Sequence, residues 1–405
     1  MRRILFACLG VAIAQGAAPQ ASAQTALSDG KVRIGVLNDA SGPYMDLAGP
    51  GSVLAARMAA EDFGSKVLGA PIEIVSADHQ NKPDVGSTIA RLWFDEQGID
   101  AITDVPTSSV ALAVQEVVRD KKKVFLISGA ATAALTGKSC SPYSIQTSED
   151  TRALGAGTAG AVLRGGADSW FFLTADYAFG HQMEADSTRV ILAGGGKIAG
   201  SVRHPQNTPD FSSFLLQAQA SGAKAIGLAN AGNDTVNAIR QAVEFGLTQE
   251  GRKLVGLILH ISDVHALGLD KAHGLQLVEG FYWDMNDESR AFAKRFHAQF
   301  GKMPTREQAT TYATVLHYLR AIEAAKTDRA EDVMKAMKAM PMKFFGEEGP
   351  IREDGRWMHD LRLYEVKKPN ESKYPWDYYK LVTTIPAEDA FTPLSESECP
   401  YVKKP

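Results

Sequence analysis

Ser108 and Ser109 follow Pro106-Thr107 and open an apolar-periodic segment, so two hydroxyls and the first N–H groups of a helix would converge on one point. Such a convergence is a receptor for a carboxylate, and it is equally the way a helix is capped; both readings are open for these serines. Similar polar stretches recur at Ser128-Gly-Ala-Ala-Thr132, Ala175-Asp-Tyr177-Ala-Phe179-Gly180, Asn230-Ala-Gly-Asn-Asp234 and His260-Ile-Ser-Asp263, with Asn38-Asp-Ala-Ser-Gly-Pro-Tyr44 ahead of them. Tyr44, Tyr177, Phe179, Tyr282 and Trp283 add flat apolar faces that suit an aromatic ring carrying a carboxylate, although Tyr282 and Trp283 can equally pack at a hinge.

Patterns that would do covalent chemistry are missing. There is no Walker loop, no His-Glu-x-x-His and no Gly-x-Ser-x-Gly elbow. Gly155-Ala-Gly157-Thr-Ala-Gly160 matches a dinucleotide fingerprint, with Asp176 standing 21 residues after its first glycine. That fingerprint needs a strand immediately before it, whereas Thr147-Ser-Glu-Asp-Thr-Arg152 is a polar helix start, so the glycines are read as close helix packing. Among nine histidines, His260 and His265 form the close pair near a strand end, and no third ligand accompanies them. No catalytic residue, metal or cofactor is therefore expected.

The elements that must carry these stretches follow from the period of the apolar residues. Buried-type strands are predicted at 32–37, 72–77, 101–105 and 124–127, separated by helices at 51–63, 83–97 and 109–120. A second series follows, with strands at 170–174, 197–202, 225–229 and 254–259 and helices at 151–164, 180–193, 211–221 and 234–245. This is α/β winding about two parallel sheets, in which ligands bind beyond the carboxyl ends of the strands, where the polar stretches fall. The remainder reads as a strand at 278–283, helices at 290–300, 305–325 and 330–340, then strands at 361–366 and 378–382. Neither half of that remainder has a sheet of its own, so it is expected to complete both units.

The chain has 405 residues, 45% hydrophobic, with 43 Lys and Arg against 47 Asp and Glu. That is length for two cores, and a formal charge of −4 without a long basic run makes nucleic acid an unsuitable partner. Arg2 and Arg3, an apolar run over 4–13 and Ala21-Ser-Ala23 before Gln24 read as a signal peptide cleaved after Ala23, too short to span a bilayer. Its removal leaves Cys140 and Cys399, and an even pair in an exported protein reads as a disulfide. Closing so long a loop would contribute roughly 5 kcal/mol on the chain-entropy model and would tie down the polar tail at 385–405.

The ordered series Val32-Arg-Ile-Gly-Val-Leu37 with Ser41-Gly-Pro43, Ala77-Asp-His-Gln-Asn81-Lys-Pro83, Ile127-Ser-Gly-Ala-Ala-Thr132 and Phe172-Leu-Thr-Ala-Asp-Tyr-Ala-Phe-Gly180 resembles the periplasmic solute-binding proteins of ABC transporters, in the branched-chain amino acid (Leu/Ile/Val) class. The resemblance runs from about residue 31 to 380. It implies a type I two-lobed fold with three interlobe crossings, one lobe from 30–146 and 280–345 and the other from 147–279 and 346–384. It also implies that Ser108 and Ser109 hold a carboxylate, that Ala130 and Thr132 hold the ligand's polar head, and that Phe179 with Tyr177 closes the site from the second lobe. Further contacts would fall near Asn230 and Asp263, the latter facing any ligand ammonium. The wording of the Asp176 to Gly180 loop and of Tyr282-Trp283-Asp284 is similar to relatives assigned to aromatic acids.

The function these readings imply is capture of a small carboxylate, aromatic or hydrophobic, between lobes that close on a hinge, by a monomer that delivers it in the periplasm to an inner-membrane ABC permease. Alternatives are an amino acid, an amide, urea or other polar solute as ligand, or a sensory module that presents its ligand to a receptor. A secreted α/β hydrolase is the remaining rival class.

Overall fold

A computed structural model describes residues 27–248 and 251–403. The expected signal peptide lies outside them. Six strands, β1 (Val32–Asn38), β2 (Lys66–Val67), β3 (Ala70–Asp78), β4 (Ala101–Asp104), β5 (Val124–Ile127) and β6 (Ser144–Gln146), form the first sheet in the order β2-β3-β1-β4-β5-β6. All pairings are parallel except the short β2–β3 hairpin. β4 and β5 are fully buried, and β5, Val-Phe-Leu-Ile, has the continuous apolar character of a strand covered on both faces. Gly35 in β1 answers a large neighbour: a Cβ there would stand 2.3 Å from the Trp93 ring of the helix Pro83–Glu96.

The second unit carries β7 (Ser169–Ala175), β8 (Lys197–His204), β9 (Ala225–Ala229) and β10 (Lys253–Gly256) in the parallel order β10-β9-β7-β8. The remaining strands are β11 (Gln276–Glu279), the hairpin β12 (Met342–Phe344) with β13 (Glu347–Gly349), and β14 (Leu361–Val366) with β15 (Tyr379–Ile385). β11, β14 and β15 make an antiparallel sheet.

Cores show where each late segment belongs. Val32, Ile34, Val36 and Leu126 cluster with Phe281, Phe292, Phe296, Tyr318, Phe344 and Trp357, so the chain returns to the first sheet after β11. The helix Arg306–Ala325 leads that return. Its Thr305–Gln308 capping box fixes the start, and Gln308 lies so close to the helix Gly49–Asp62 that a Cβ at Gly51 would stand 2.2 Å from its amide. Tyr364 and Tyr379 of β14 and β15 join Leu173, Ile226 and Leu228 of the second sheet. Cys140 and Cys399 form the disulfide, burying Val402 of the tail beside them.

Three local expectations are corrected. The strand expected over 278–283 ends at Glu279, because the Gly280 amide turns to donate to the Glu149 carboxylate at 2.8 Å. β10 ends at Gly256 rather than 259, and the next residues lead out between the lobes. The helix expected over 151–164 contains a π turn at Gly155–Ala159, and a Cβ at Gly157 would stand 2.5 Å from Val278 of β11, so its glycines let that helix approach β11 closely.

Candidate functional site in the interlobe cleft

The first-lobe wall begins with the loop after β1. Both Asp39 carboxylate oxygens are used to shape it, one accepting from Gly42 N and the other from Tyr44 N, each at 2.8 Å, with Asn81 Nδ2 donating at 2.7 Å. The turn this makes aims the Tyr44 ring across the cleft. Leu47, Pro106, Gly129, Ala131 and Glu307 complete that wall, and Tyr177, Phe179, Ala231, Ile258 and His260 face them from the second lobe. Together they bound a narrow cavity. Tyr177 and Phe179 lie where β7 turns into the helix Ala178–Ala193, their ring centroids 5.9 Å apart. A Cβ at Gly180 would stand 2.1 Å from the Ala175 carbonyl oxygen, so the tightness of this turn depends on glycine.

The lobes are closed on one another through two clasps. The hydroxyls of Tyr44 and Tyr177 are 2.6 Å apart, and Gln206 Nε2 donates to the Tyr44 oxygen at 3.2 Å. Burial pushes both phenols well above their ordinary range, so this clasp is neutral. The other clasp is ionic: His260 Nε2 lies 2.7 Å from Glu307 Oε1, with the two side chains 1% and 2% exposed. Between the clasps the backbones themselves meet, Asn233 N donating to the Pro43 carbonyl at 3.3 Å. Gly232 makes that contact possible, since its φ is +59° and a Cβ would stand 2.5 Å from the Pro43 oxygen.

Beneath the ionic clasp lies a buried charge cluster. Arg306 bonds Glu149 through Nη1 and Glu307 Oε1 through Nη2, the latter at 3.1 Å. Asp263 Oδ2 accepts from His260 N at 3.0 Å and faces His260 Nδ1 at 3.2 Å. Both imidazole nitrogens therefore face carboxylates. Burial would lower the His260 pKa, but Glu307 and Asp263 outweigh it and hold it up at about 10. Burial would raise Glu149, but Arg306 and His359 keep it well below the usual carboxylate range. Burial pushes Glu279 well above that range, outweighing the opposing charges of Arg306 and His260.

The periplasmic binding protein family model matches residues 31–372. The chain belongs to that family. A solved periplasmic binding protein from Burkholderia mallei is 48% identical, covering 92% of this chain and 100% of its own, with a TM-score of 0.91. A branched-chain amino acid ABC transporter periplasmic ligand-binding protein from Burkholderia xenovorans LB400 is 44% identical over the same shares, at a TM-score of 0.82. An ABC transporter solute-binding protein from R. palustris in complex with benzoate shares the fold at 19% identity and a TM-score of 0.80, covering 88% of this chain and 97% of its own. This periplasmic binding protein is thus a solute-binding component of an ABC transporter and not an enzyme. No helix among the described residues is long and apolar enough to cross a membrane.

In this binding protein the residues singled out from sequence fall into distinct places. Tyr44, Tyr177 and Phe179 line the cavity. Ser108, Ala130 and Thr132 lie behind its wall in a hydrogen-bonded lattice: Thr132 N donates to Ser108 Oγ at 3.2 Å, Ser148 Oγ to the Ala130 carbonyl at 2.6 Å, and Ala134 N to Thr132 Oγ1 at 3.4 Å. Ser109, half-buried, does not line the cavity. Asn230 braces the second-lobe loop, its Nδ2 donating to His204 Nε2 at 3.0 Å and its Oδ1 accepting from Thr235 at 2.7 Å, while Asp263 is engaged by His260. Tyr282 stands apart, its hydroxyl donating to the Trp376 carbonyl at 3.1 Å and its ring 4.8 Å from Tyr379. Sequence reasoning missed Leu47, Ile258 and above all Glu307. Lying in the first turn of a capped helix, Glu307 looks like an acid answering the helix dipole, and no local signal marks it as facing the cleft.

Proposed function

We propose that the cleft captures a small aromatic or hydrophobic carboxylate and delivers it unaltered to an inner-membrane permease. The character of the walls carries this reading: aromatic rings and small apolar residues on both sides, with few polar side chains, suit a flat ring better than a polar solute. Benzoate in the R. palustris relative supports it as a chemistry the fold can enclose. Lobe opening would separate the Tyr44–Tyr177 and His260–Glu307 clasps, and the bound acid would stabilise the closed form that a permease meets. The same proposal includes export with cleavage after Ala23 and action as a monomer. In it the Ser108, Ser109 and Thr132 loops hold the carboxylate once the lattice behind the wall rearranges.

The test is mass spectrometry of what co-purifies, followed by calorimetric titration of refolded, ligand-free protein with benzoate, 3-phenylpropionate, leucine and phenylalanine. Tighter binding of the two acids, recovered unchanged, is expected; tighter binding of the amino acids would replace this reading. One observation favours that second reading, an amino acid ligand: Glu307 is an acid on the cavity wall, placed where an ammonium could meet it.

A further inference from the structure

Glu307 is 2% exposed, lines the cavity, and is used unevenly. Its Oε1 takes both available cations, His260 Nε2 at 2.7 Å and Arg306 Nη2 at 3.1 Å. Its Oε2 is buried and has no hydrogen-bond partner. A buried carboxylate oxygen without a donor is costly, and where closure over a ligand displaces water the group able to supply one is the guest. The other polar groups that line the cavity do not compete for the role. The Tyr44 and Tyr177 hydroxyls are engaged with each other, and both nitrogens of His260 already face carboxylates.

We infer that Glu307 Oε2 is the acceptor for a neutral hydroxyl on the ligand, so that the protein selects hydroxylated over unsubstituted acids. The donor is neutral because two cations already sit on Glu307: an added ammonium would approach His260 and Arg306, whereas a hydroxyl completes the hydrogen bonding without adding charge. The preference arises mainly as a penalty. An acid without the hydroxyl would shut the cleft over an unsatisfied oxygen, which is how a site built around a polar group rejects the analogue lacking it. This inference rests on the carboxylate reading above and names a feature of that ligand.

Matched pairs test it by calorimetric titration of the ligand-free mature protein: benzoate against 3- and 4-hydroxybenzoate, and 3-phenylpropionate against 3-(4-hydroxyphenyl)propionate. The hydroxylated member of at least one pair is expected to bind about tenfold tighter or more. Equal binding within both pairs overturns the inference while leaving the carboxylate reading intact. The Glu307→Met variant keeps the length without the acceptor and is expected to reduce the ratio to within about twofold; an unchanged ratio in a folded variant overturns the assignment. A measurement on the wild type alone guards against a variant that does not fold. A phenol donating to a buried carboxylate stays protonated at a pH that ionises the free acid, so bound 4-hydroxybenzoate should lack the red-shifted phenolate absorbance, and its presence would overturn the inference. If phenylalanine binds more tightly than 3-phenylpropionate, the neutral-donor inference and the carboxylate reading both fall.

Discussion

The two clasps across the cleft join the same lobes over similar distances, yet they are made of different physics. Tyr44 and Tyr177 exchange a hydrogen bond between neutral phenols at 2.6 Å. His260 and Glu307, at 2.7 Å, are the cavity-lining end of a buried ionic cluster that includes Arg306, Glu149 and Asp263. A neutral pair can be opened and rehydrated at little net cost, because water replaces what is lost. An ionic pair whose members are held by further charges leaves an uncompensated charge in low dielectric when one member is removed. The Tyr clasp therefore acts as a fitting and the ionic clasp as a fixture, coupled through Glu149 to the Gly280 amide just past the end of β11.

Breaking the fixture at its root should have the largest effect. Glu149→Gln removes one of the two carboxylates paired with buried Arg306 and is expected to cost about 3–5 kcal/mol, or roughly 5 °C in Tm, measured by calorimetry. A Tm within a degree of wild type would mean that the cluster adds little. Next, Gly232→Ala removes no group of either clasp but sets a methyl, at a positive φ, 2.5 Å from the Pro43 oxygen and 2.9 Å from the Tyr44 ring. It should reduce ligand affinity about tenfold or more by opposing closure, with small-angle scattering showing the open form in the presence of ligand. Closure at wild-type affinity would show that the backbone contact is dispensable.

The third effect separates the clasps by pH. His260 has its pKa raised in the closed form, so its contribution is fully present below pH ~6.5 and is lost as pH rises through about 10. Affinity is expected to fall steadily from pH 7 to 10 in wild type and in Tyr44→Phe, and to lose that slope in His260→Gln. A slope retained in His260→Gln would assign the titration elsewhere. The smallest effect is that of Tyr44→Phe at constant pH, a loss of about 0.5–1.5 kcal/mol and hence two- to tenfold in affinity. A larger loss would mean that the phenol contacts the ligand directly.

Much of the scaffold was legible beforehand. The buried runs of β1, β4, β5, β7 and β9, the helices between them and the pairing of Cys140 with Cys399 all follow from local period and cysteine parity. The loops bordering the cleft were legible as places, because carboxyl ends of parallel strands converge. Which groups in those loops point inward was not: Ser108 and Thr132 hydrogen-bond each other, and Asp263 turns to His260. Strand ends were misjudged where a tertiary partner overruled propensity, as at Gly280, whose amide is taken by Glu149.

By itself the sequence determined two α/β units, a late segment shared between them and a row of polar loops facing one crevice, since the burial face of each strand and helix is written in the spacing of its own apolar residues. The tertiary structure alone decided that Tyr44 would meet Tyr177, that His260 would meet Glu307, and that Tyr282 would serve the second-lobe core instead of the cleft. Those contacts join residues far apart in the chain and exist only when two rigid lobes are set at a particular distance and angle, a property of the hinge and of summed packing that no local period encodes.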